Sequence, residues 1–188
     1  VTAVMKNDLA DAYIMERARH IMLEQNPDLL VVQLIATDQT GHSRGALYQE
    51  YREKIEEADA HIARFYQWLE ENGHLRDTTL IICADHGQSD GIGGHGHLDE
   101  GERFVPFMML GPQIARNARV DRHYSLTSVA NTIAYLLGVS YPEHSGAPVL
   151  QEALAPDKQD QPVYRRHPSA IREEIGTTSG HRNREVSS

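Results

Sequence analysis

The sequence predicts an α/β fold, and three observations carry this prediction. Short apolar runs of strand length alternate with longer segments whose apolar residues recur every three or four positions. The apolar runs are nearly continuous, which is typical of strands covered on both faces in a mostly parallel sheet. Metal-binding residue types follow these runs, at the sheet edge where α/β proteins bind ligands. We therefore expect a sandwich with helices on both faces of the sheet.

Length and composition are those of one globular domain or part of one. The chain has 188 residues, of which 40% are hydrophobic, and a formal net charge of −9. This charge argues against wrapping nucleic acid, because such binding needs Lys and Arg to neutralise phosphates. No apolar run approaches the roughly 20 residues of a membrane span. We expect a soluble domain; an extracytoplasmic location, or attachment to a membrane segment outside this chain, stays open.

The first predicted elements are a helix and a strand. Apolar or small residues recur at near-helical spacing before Gln25, at Leu9, Ala12, Tyr13, Ala18, Ile21 and Met22. Asn7 and Asp8 are available as caps for this helix, and Pro27 follows its end. Leu29–Ala36 is then a nearly continuous apolar run and predicts a buried strand.

Two more helices and two more strands are predicted beyond a Gly- and Ser-containing loop. Tyr48–Glu71 has the spacing of a long amphipathic helix, and Thr79–Ala84 and Phe104–Leu110 have the composition of strands. A glycine-rich loop separates the strands, and Leu126–Leu137 predicts a closing helix. Residues 156–188 are polar and aperiodic, so we expect them to be partly disordered or to pack on a neighbour.

Three motifs combine carboxylates and imidazoles beyond the predicted strands. They are Asp38-Gln-Thr-Gly-His42, Asp85-His86-Gly87 and Gly93-Gly94-His95-Gly96-His97. Such a ligand mix suits zinc, with manganese as the alternative. His95 and His97 are loop imidazoles in the same glycine-rich context, and the residues alone do not separate them. The single cysteine, Cys83, lies in a predicted strand and is expected to be a small buried side chain.

The order of these motifs resembles the alkaline phosphatase superfamily. The resemblance rests on Pro27-Asp28, Asp38-x-x-Gly-His42, Asp85-His86-Gly87, Gly94-His95-Gly96, Val105-Pro106-Phe107, Leu110-Gly-Pro112 and Ser125–Gly138. It covers roughly residues 20–155. Within the superfamily the chain is most similar to type I phosphodiesterase/nucleotide pyrophosphatase proteins and the related phosphoethanolamine transferases. The resemblance implies an alkaline-phosphatase-like sandwich.

The same resemblance implies two divalent metal ions, zinc first and manganese as the alternative. Asp38, His42 and His95 would bind one ion, and Asp85 and His86 the other. His95 is preferred to His97 because the family ligand lies in a His-Gly-Gly-like element. The implied activity is hydrolysis of small phosphate esters, of phosphodiesterase, nucleotide pyrophosphatase or phosphatase type. Alternatives are a phosphoethanolamine or phosphoryl transferase, a mutase, or a catalytically inactive metal-binding fragment.

One part of the family pattern has no convincing counterpart before Asp38. Family members begin with a strand that carries another Asp ligand, followed by a nucleophilic Thr or Ser. Apart from tyrosine, Thr2 is the only hydroxyl residue among the first 36 residues. We therefore expect residues 1–155 to be the C-terminal part of a catalytic domain, with the nucleophile outside this chain. The missing N-terminal part or a second copy of the chain would then be a partner.

Overall fold

The computed structural model describes residues 2–4, 10–91 and 94–159, which fall into two compact units. The first includes the chain up to Val120 together with Ala153–Pro156, and the second centres on Asp121–Glu152. The first unit contains β1 (Thr2–Val4), α1 (Asp11–Gln25), β2 (Leu30–Val32), α2 (Ala36–Arg44), α3 (Gln49–Glu71), β3 (Leu80–Cys83), α4 (Glu100–Arg103) and β4 (Phe107–Leu110). The second contains α5 (Thr127–Leu136). Single 3₁₀ turns lie at His74–Arg76, Gln151–Ala153 and Pro156–Lys158.

The four strands pair as two separate two-stranded sheets. β1 and β2 are parallel, with Ala3 opposite Val31. β3 and β4 are antiparallel, with Ile81 opposite Met109. The predicted mostly parallel arrangement is therefore observed only for the first pair. Parallel neighbours need a crossover connection, usually a helix. The described part of the glycine-rich segment that joins β3 and β4 contains one helix, α4, of four residues.

Helix α1 supplies most of the apolar core of the first unit. Its buried side chains pack against α3 in a cluster of Met15, Ala18, Met22, Phe65 and Leu69. Ile14 and Ile21 form a second cluster against partly buried residues in and after β2. The predicted apolar face was partly wrong, because Ala12 and Tyr13 are exposed. The true buried stripe begins instead at Asp11.

Asp11 links α1 to the start of α2. This residue is 7% exposed, and its Oδ1 accepts a hydrogen bond from the backbone N–H of Ile35 at 3.0 Å. Ile35 is the residue that precedes the first turn of α2. A charged acceptor makes a stronger hydrogen bond than a neutral one. The α1 core therefore fixes the position at which α2 begins.

α2 is a helix where the sequence predicted a loop. Gly41 suggested a turn, yet it is buried within α2. A Cβ at Gly41 would lie 2.6 Å from Cδ of Gln88, so the glycine permits close packing of Gln88 on the helix. The predicted helices Tyr48–Glu71 and Leu126–Leu137 are confirmed as α3 and α5, with ends that differ by a residue.

The buried face of α5 is largely polar. Thr132 Oγ1 accepts a hydrogen bond from the N–H of Leu150 at 3.0 Å and donates one to the carbonyl of Ser128 at 2.8 Å. Asn131 Nδ2 donates to the carbonyl of Ala147. These bonds fasten the loop after α5 to the helix. Gly138 ends the helix in the left-handed conformation, with φ of 66°.

Some sequence predictions fall on other parts of the chain. The proposed caps Asn7 and Asp8, and the polar segment beyond residue 159, lie outside the described residues. Among the helices that the structure describes, none combines the length and apolar character that crossing a bilayer requires.

Replacing Leu69 tests the α1–α3 core. Leu69 is 1% exposed, so we expect Leu69→Ala to lower the free energy of unfolding by about 2–5 kcal/mol through lost contacts and a residual cavity. Leu23→Ala is the matched control, because Leu23 is 61% exposed on α1. Urea denaturation followed by circular dichroism measures both. Equal stability of the two variants would contradict this packing.

Candidate metal centre

The candidate centre begins with two ligand types on one face of α2. Asp38 and His42 are four residues apart, which places their side chains on neighbouring turns. Asp38 Oδ1 lies 3.4 Å from His42 Nε2. Because α2 starts at the Ile35 backbone held by Asp11, this pair is positioned by the core of the first unit.

His95 joins this pair from the glycine-rich loop. Its Nε2 lies 3.5 Å from Asp38 Oδ1 and 3.2 Å from His42 Nε2. The possible ligand atoms of these three residues all lie within 4.8 Å of one another. His97, the other imidazole of the loop, is exposed and is not part of this group.

The spacing of these atoms fits a tetrahedral metal ion. Zinc binds imidazole nitrogen and carboxylate oxygen at about 2.0–2.2 Å, which separates neighbouring ligand atoms of a tetrahedral site by about 3.3–3.6 Å. The three observed separations are 3.2, 3.4 and 3.5 Å. Asp38 Oδ1 is moreover buried and accepts no hydrogen bond from any residue that the structure describes. A carboxylate oxygen buried without a donor is costly, and a cation would compensate it.

His86 and Asp85 lie beside this group. His86 Nε2 is 3.7 Å from Asp85 Oδ1 and 4.0 Å from Asp38 Oδ1. Its ring stacks on that of His95, with centroids 3.5 Å apart. All five predicted ligands therefore lie in one region, although Asp85 is exposed and its contact with the group is the one to His86.

The tautomer of His86 follows from its hydrogen bond. Nδ1 lies 2.8 Å from the carbonyl oxygen of Gly87, which can only accept, so Nδ1 carries the proton. In the neutral imidazole, Nε2 then has the free lone pair, and this nitrogen lies 3.7 Å from Asp85 Oδ1 and 4.0 Å from Asp38 Oδ1. Such a hydrogen bond on the far nitrogen is the usual way in which proteins orient an imidazole ligand.

Gly94 allows the loop to approach His42. Its φ is 107°, a conformation that side chains rarely adopt, and a Cβ there would lie 2.2 Å from Cε1 of His42. Glycine is therefore favoured at this position both by the backbone conformation and by the close contact with His42. Ser89 closes the loop, because its N–H and its hydroxyl both donate to the carbonyl of Gly94.

Two nearby hydroxyls are tied to the backbone of α2. Thr40 Oγ1 donates to the carbonyl of Ala36 at 2.8 Å, and Ser43 Oγ donates to the carbonyl of Thr40 at 3.2 Å. Both bonds are local helix bonds of a common type. They give neither hydroxyl a base that would activate it.

Burial, together with the nearby carboxylates of the centre, raises the pKa values of two neighbouring residues. Burial, and then the charge of Asp38, raise the pKa of Tyr51. Burial, and then the charge of Asp85, raise the pKa of Cys83. The prediction that Cys83 is buried was wrong, because the residue is exposed at the end of β3, although its thiol is partly desolvated.

Sequence reasoning missed two buried polar side chains beneath the loops. Gln88 is 6% exposed and packs on Gly41, and Glu102 is 5% exposed. Glu102 lies in the charged run Asp99–Arg103, which has the composition of a solvent-exposed segment. No spacing rule marks either residue.

Similar proteins include enzymes of two named types. GPI ethanolamine phosphate transferase 2 of Aspergillus fumigatus is 27% identical over 152 residues, which are 72% of this chain and 20% of the relative. Phosphopentomutase of Clostridium botulinum is 33% identical over 142 residues, 74% of this chain and 33% of the relative. The human GPI ethanolamine phosphate transferase 2, catalytic subunit, is 28% identical over 123 residues, 63% of this chain and 12% of the relative. The chain thus spans a third or less of these relatives. No solved structure matches it.

The family comparison agrees with the superfamily expected from the motifs. The sequence model of the Metalloenzyme superfamily, whose members are alkaline-phosphatase-like, matches residues 1–141. This match implies the α/β fold and the divalent metal binding of that superfamily. The relatives are transferases and mutases by name, so they support the superfamily more than the narrower nucleotide pyrophosphatase type. Since the match covers 141 of 188 residues, the chain belongs to the Metalloenzyme superfamily.

Proposed function

We propose that this chain is the metal-binding part of an enzyme that moves a phosphate-bearing group from one hydroxyl oxygen to another. The observation that carries the proposal is the convergence of Asp38, His42 and His95 at separations of 3.2–3.5 Å. The Asp38 oxygen among them is buried and accepts no hydrogen bond from the residues that the structure describes. The relatives add the chemistry. One type is named for transferring ethanolamine phosphate and the other for a mutase reaction on a phosphopentose, which favours transfer over the hydrolysis first expected.

The residues divide between two divalent cations in this proposal. Asp38, His42 and His95 hold one, and Asp85 and His86 hold the other. Zinc is the first choice because the donors are imidazole nitrogens and carboxylate oxygens, and manganese is the alternative. Bound together, two such cations stabilise the attacking and leaving oxygens of an in-line displacement at phosphorus. The 4.0 Å contact between Asp38 Oδ1 and His86 Nε2 supports neighbouring positions for the two sets of ligands.

The residues of this chain provide only part of the charge and of the reactive groups that transfer of a phosphate-bearing group requires. A formal net charge of −9 repels a phosphorylated substrate at long range, so the attraction must arise locally. The two carboxylates, Asp38 and Asp85, hold cations rather than substrate. The hydroxyls of Thr40 and Ser43 are bonded to helix carbonyls, so neither is assigned as nucleophile. We propose that the nucleophile lies outside this chain.

Asp38→Asn tests the metal site. The amide keeps the shape of the side chain and removes its charge. We therefore expect the affinity for Zn²⁺ and Mn²⁺ to fall by more than about 100-fold, which exceeds the loss typical when a residue that only orients a metal ligand is replaced. Titration calorimetry of the chain with each ion measures this affinity. Asp59→Asn is the matched control, because Asp59 is exposed on α3, and it should bind as the wild type does. Wild-type affinity in Asp38→Asn would refute the assigned ligand.

Product analysis separates transfer from hydrolysis. The gene product that contains this chain is incubated with 4-nitrophenyl phosphate, Mn²⁺ or Zn²⁺, and increasing glycerol. We expect glycerol phosphate to form, so the amount of nitrophenol released should exceed the amount of inorganic phosphate by the amount of phosphate transferred. ³¹P NMR measures the glycerol phosphate and the inorganic phosphate. A second arm with ribose 5-phosphate detects isomerisation to the 1-phosphate, as a mutase requires. Inorganic phosphate equal to nitrophenol at every glycerol concentration, without isomerisation, would indicate a hydrolase instead.

A further inference from the structure

We propose that Glu102 is a positioning residue that fastens both loops of the metal centre to α4. Among the described residues, its hydrogen bonds to the ligand motifs go to their backbones. Its carboxylate holds the backbone after His95, and its main chain holds the backbone after His86. The role in metal binding rests on the proposed function, whereas the effect on the loop can be measured without metal.

The carboxylate of Glu102 binds the loop that carries His95. Oε2 accepts a hydrogen bond from the N–H of Gly96 at 3.1 Å and another from the N–H of His97 at 2.6 Å. These are the two residues directly after His95. Two N–H groups donating to one charged oxygen form strong hydrogen bonds of fixed direction. The backbone that follows the ligand therefore cannot rotate freely.

The main chain of α4 binds the other ligand segment. The N–H of Gly87 donates to the carbonyl of Glu102 at 2.7 Å. A Cβ on Gly87 would lie 1.8 Å from the carbonyl oxygen of Gly101, so the two backbones are in direct contact. Gly87 follows His86, and its own carbonyl sets the His86 tautomer. One short segment thus links the backbones next to His86 and His95, whose rings stack on each other.

The loop needs such an anchor because of its composition. Gly94 and Gly96 have φ values of 107° and 110°, which only glycine adopts readily. Glycine loses more backbone entropy on ordering than any other residue, so a loop of this kind is not rigid by itself. Ser89 holds the carbonyl of Gly94, and the two hydrogen bonds to Glu102 constrain the backbone on the other side of His95.

The burial of Glu102 argues for a role in the site beyond packing. The residue is 5% exposed, although it lies in a helix of four residues whose other members are exposed. Its Oε1 is buried and has no hydrogen-bond donor among the described residues. A buried carboxylate with one oxygen that accepts no hydrogen bond lowers the stability of the fold. An apolar side chain would fill the same space at lower cost, but it would offer no oxygen to accept hydrogen bonds from the two N–H groups.

The test compares Glu102→Ala with Glu102→Gln, which keeps an acceptor oxygen, and with Glu100→Ala, an exposed neighbour on α4. Zn²⁺ and Mn²⁺ affinities are measured by titration calorimetry. Hydrogen exchange of the Gly96 and His97 amides is measured by NMR in the metal-free chain. We expect Glu102→Ala to weaken metal binding by about 10–100-fold, as loss of an orienting partner does. Exchange should rise at Gly96 and His97 and stay unchanged in α1 and α3.

Rescue separates positioning from general stability. Glu102→Gln should recover most of the affinity and protect the two amides, and Glu100→Ala should match the wild type. Wild-type affinity and exchange in Glu102→Ala would overturn the proposal, as would an exchange increase spread evenly over α1 and α3. If Glu102→Ala does not fold, Glu102→Asp replaces it in the test. Its side chain is one methylene shorter, so we expect it to weaken metal binding. Metal binding as in the wild type would overturn the proposal. If the wild type binds no metal, the proposed function fails, and exchange alone decides whether Glu102 holds the loop.

Discussion

The arrangement depends on a single buried atom, Oδ1 of Asp38. Three imidazole nitrogens lie near it, those of His42 at 3.4 Å, His95 at 3.5 Å and His86 at 4.0 Å, and it accepts no hydrogen bond from the described residues. A carboxylate oxygen in this state is unfavourable by itself, and a divalent cation resolves the conflict. A cation held there would also account for the 3.2 Å separation between the imidazole nitrogens of His42 and His95, which would be two of its ligands.

Two independent supports bring the ligands to this atom. On one side the apolar core of α1 and α3 fixes α1, and Asp11 at the start of α1 binds the backbone of Ile35, where α2 begins. On the other side α4 holds the backbones after His86 and His95. The first support is a packed core with a definite geometry. The second support is the set of hydrogen bonds that α4 makes with a glycine-rich loop. The loop that carries His95 should therefore be less rigid than the helix that carries Asp38 and His42.

Periodicity was sufficient to predict the long helices, because it is a local feature. Residue type pointed to the three motifs with candidate ligands, and the choice of His95 over His97 came from the family resemblance. Such local signals were insufficient for residues whose role depends on contacts with residues far away in the sequence. Gly41 suggested a turn but makes room for Gln88 within a helix. The pairing of β3 with β4 depends on the absence of a crossover helix, which a glycine-rich stretch does not reveal. Glu102 looked like one more surface charge, since its two donors become apparent only when the loop is folded.

Anomalous X-ray diffraction from crystals of the chain equilibrated with Zn²⁺ tests the central claim most directly. Data collected on both sides of the zinc absorption edge locate the ion without assumptions about activity. The account predicts a zinc peak at about 2.0–2.2 Å from Oδ1 of Asp38 and from Nε2 of both His42 and His95. Zinc bound by His97 in place of His95, or zinc peaks found only away from Asp38, would contradict it.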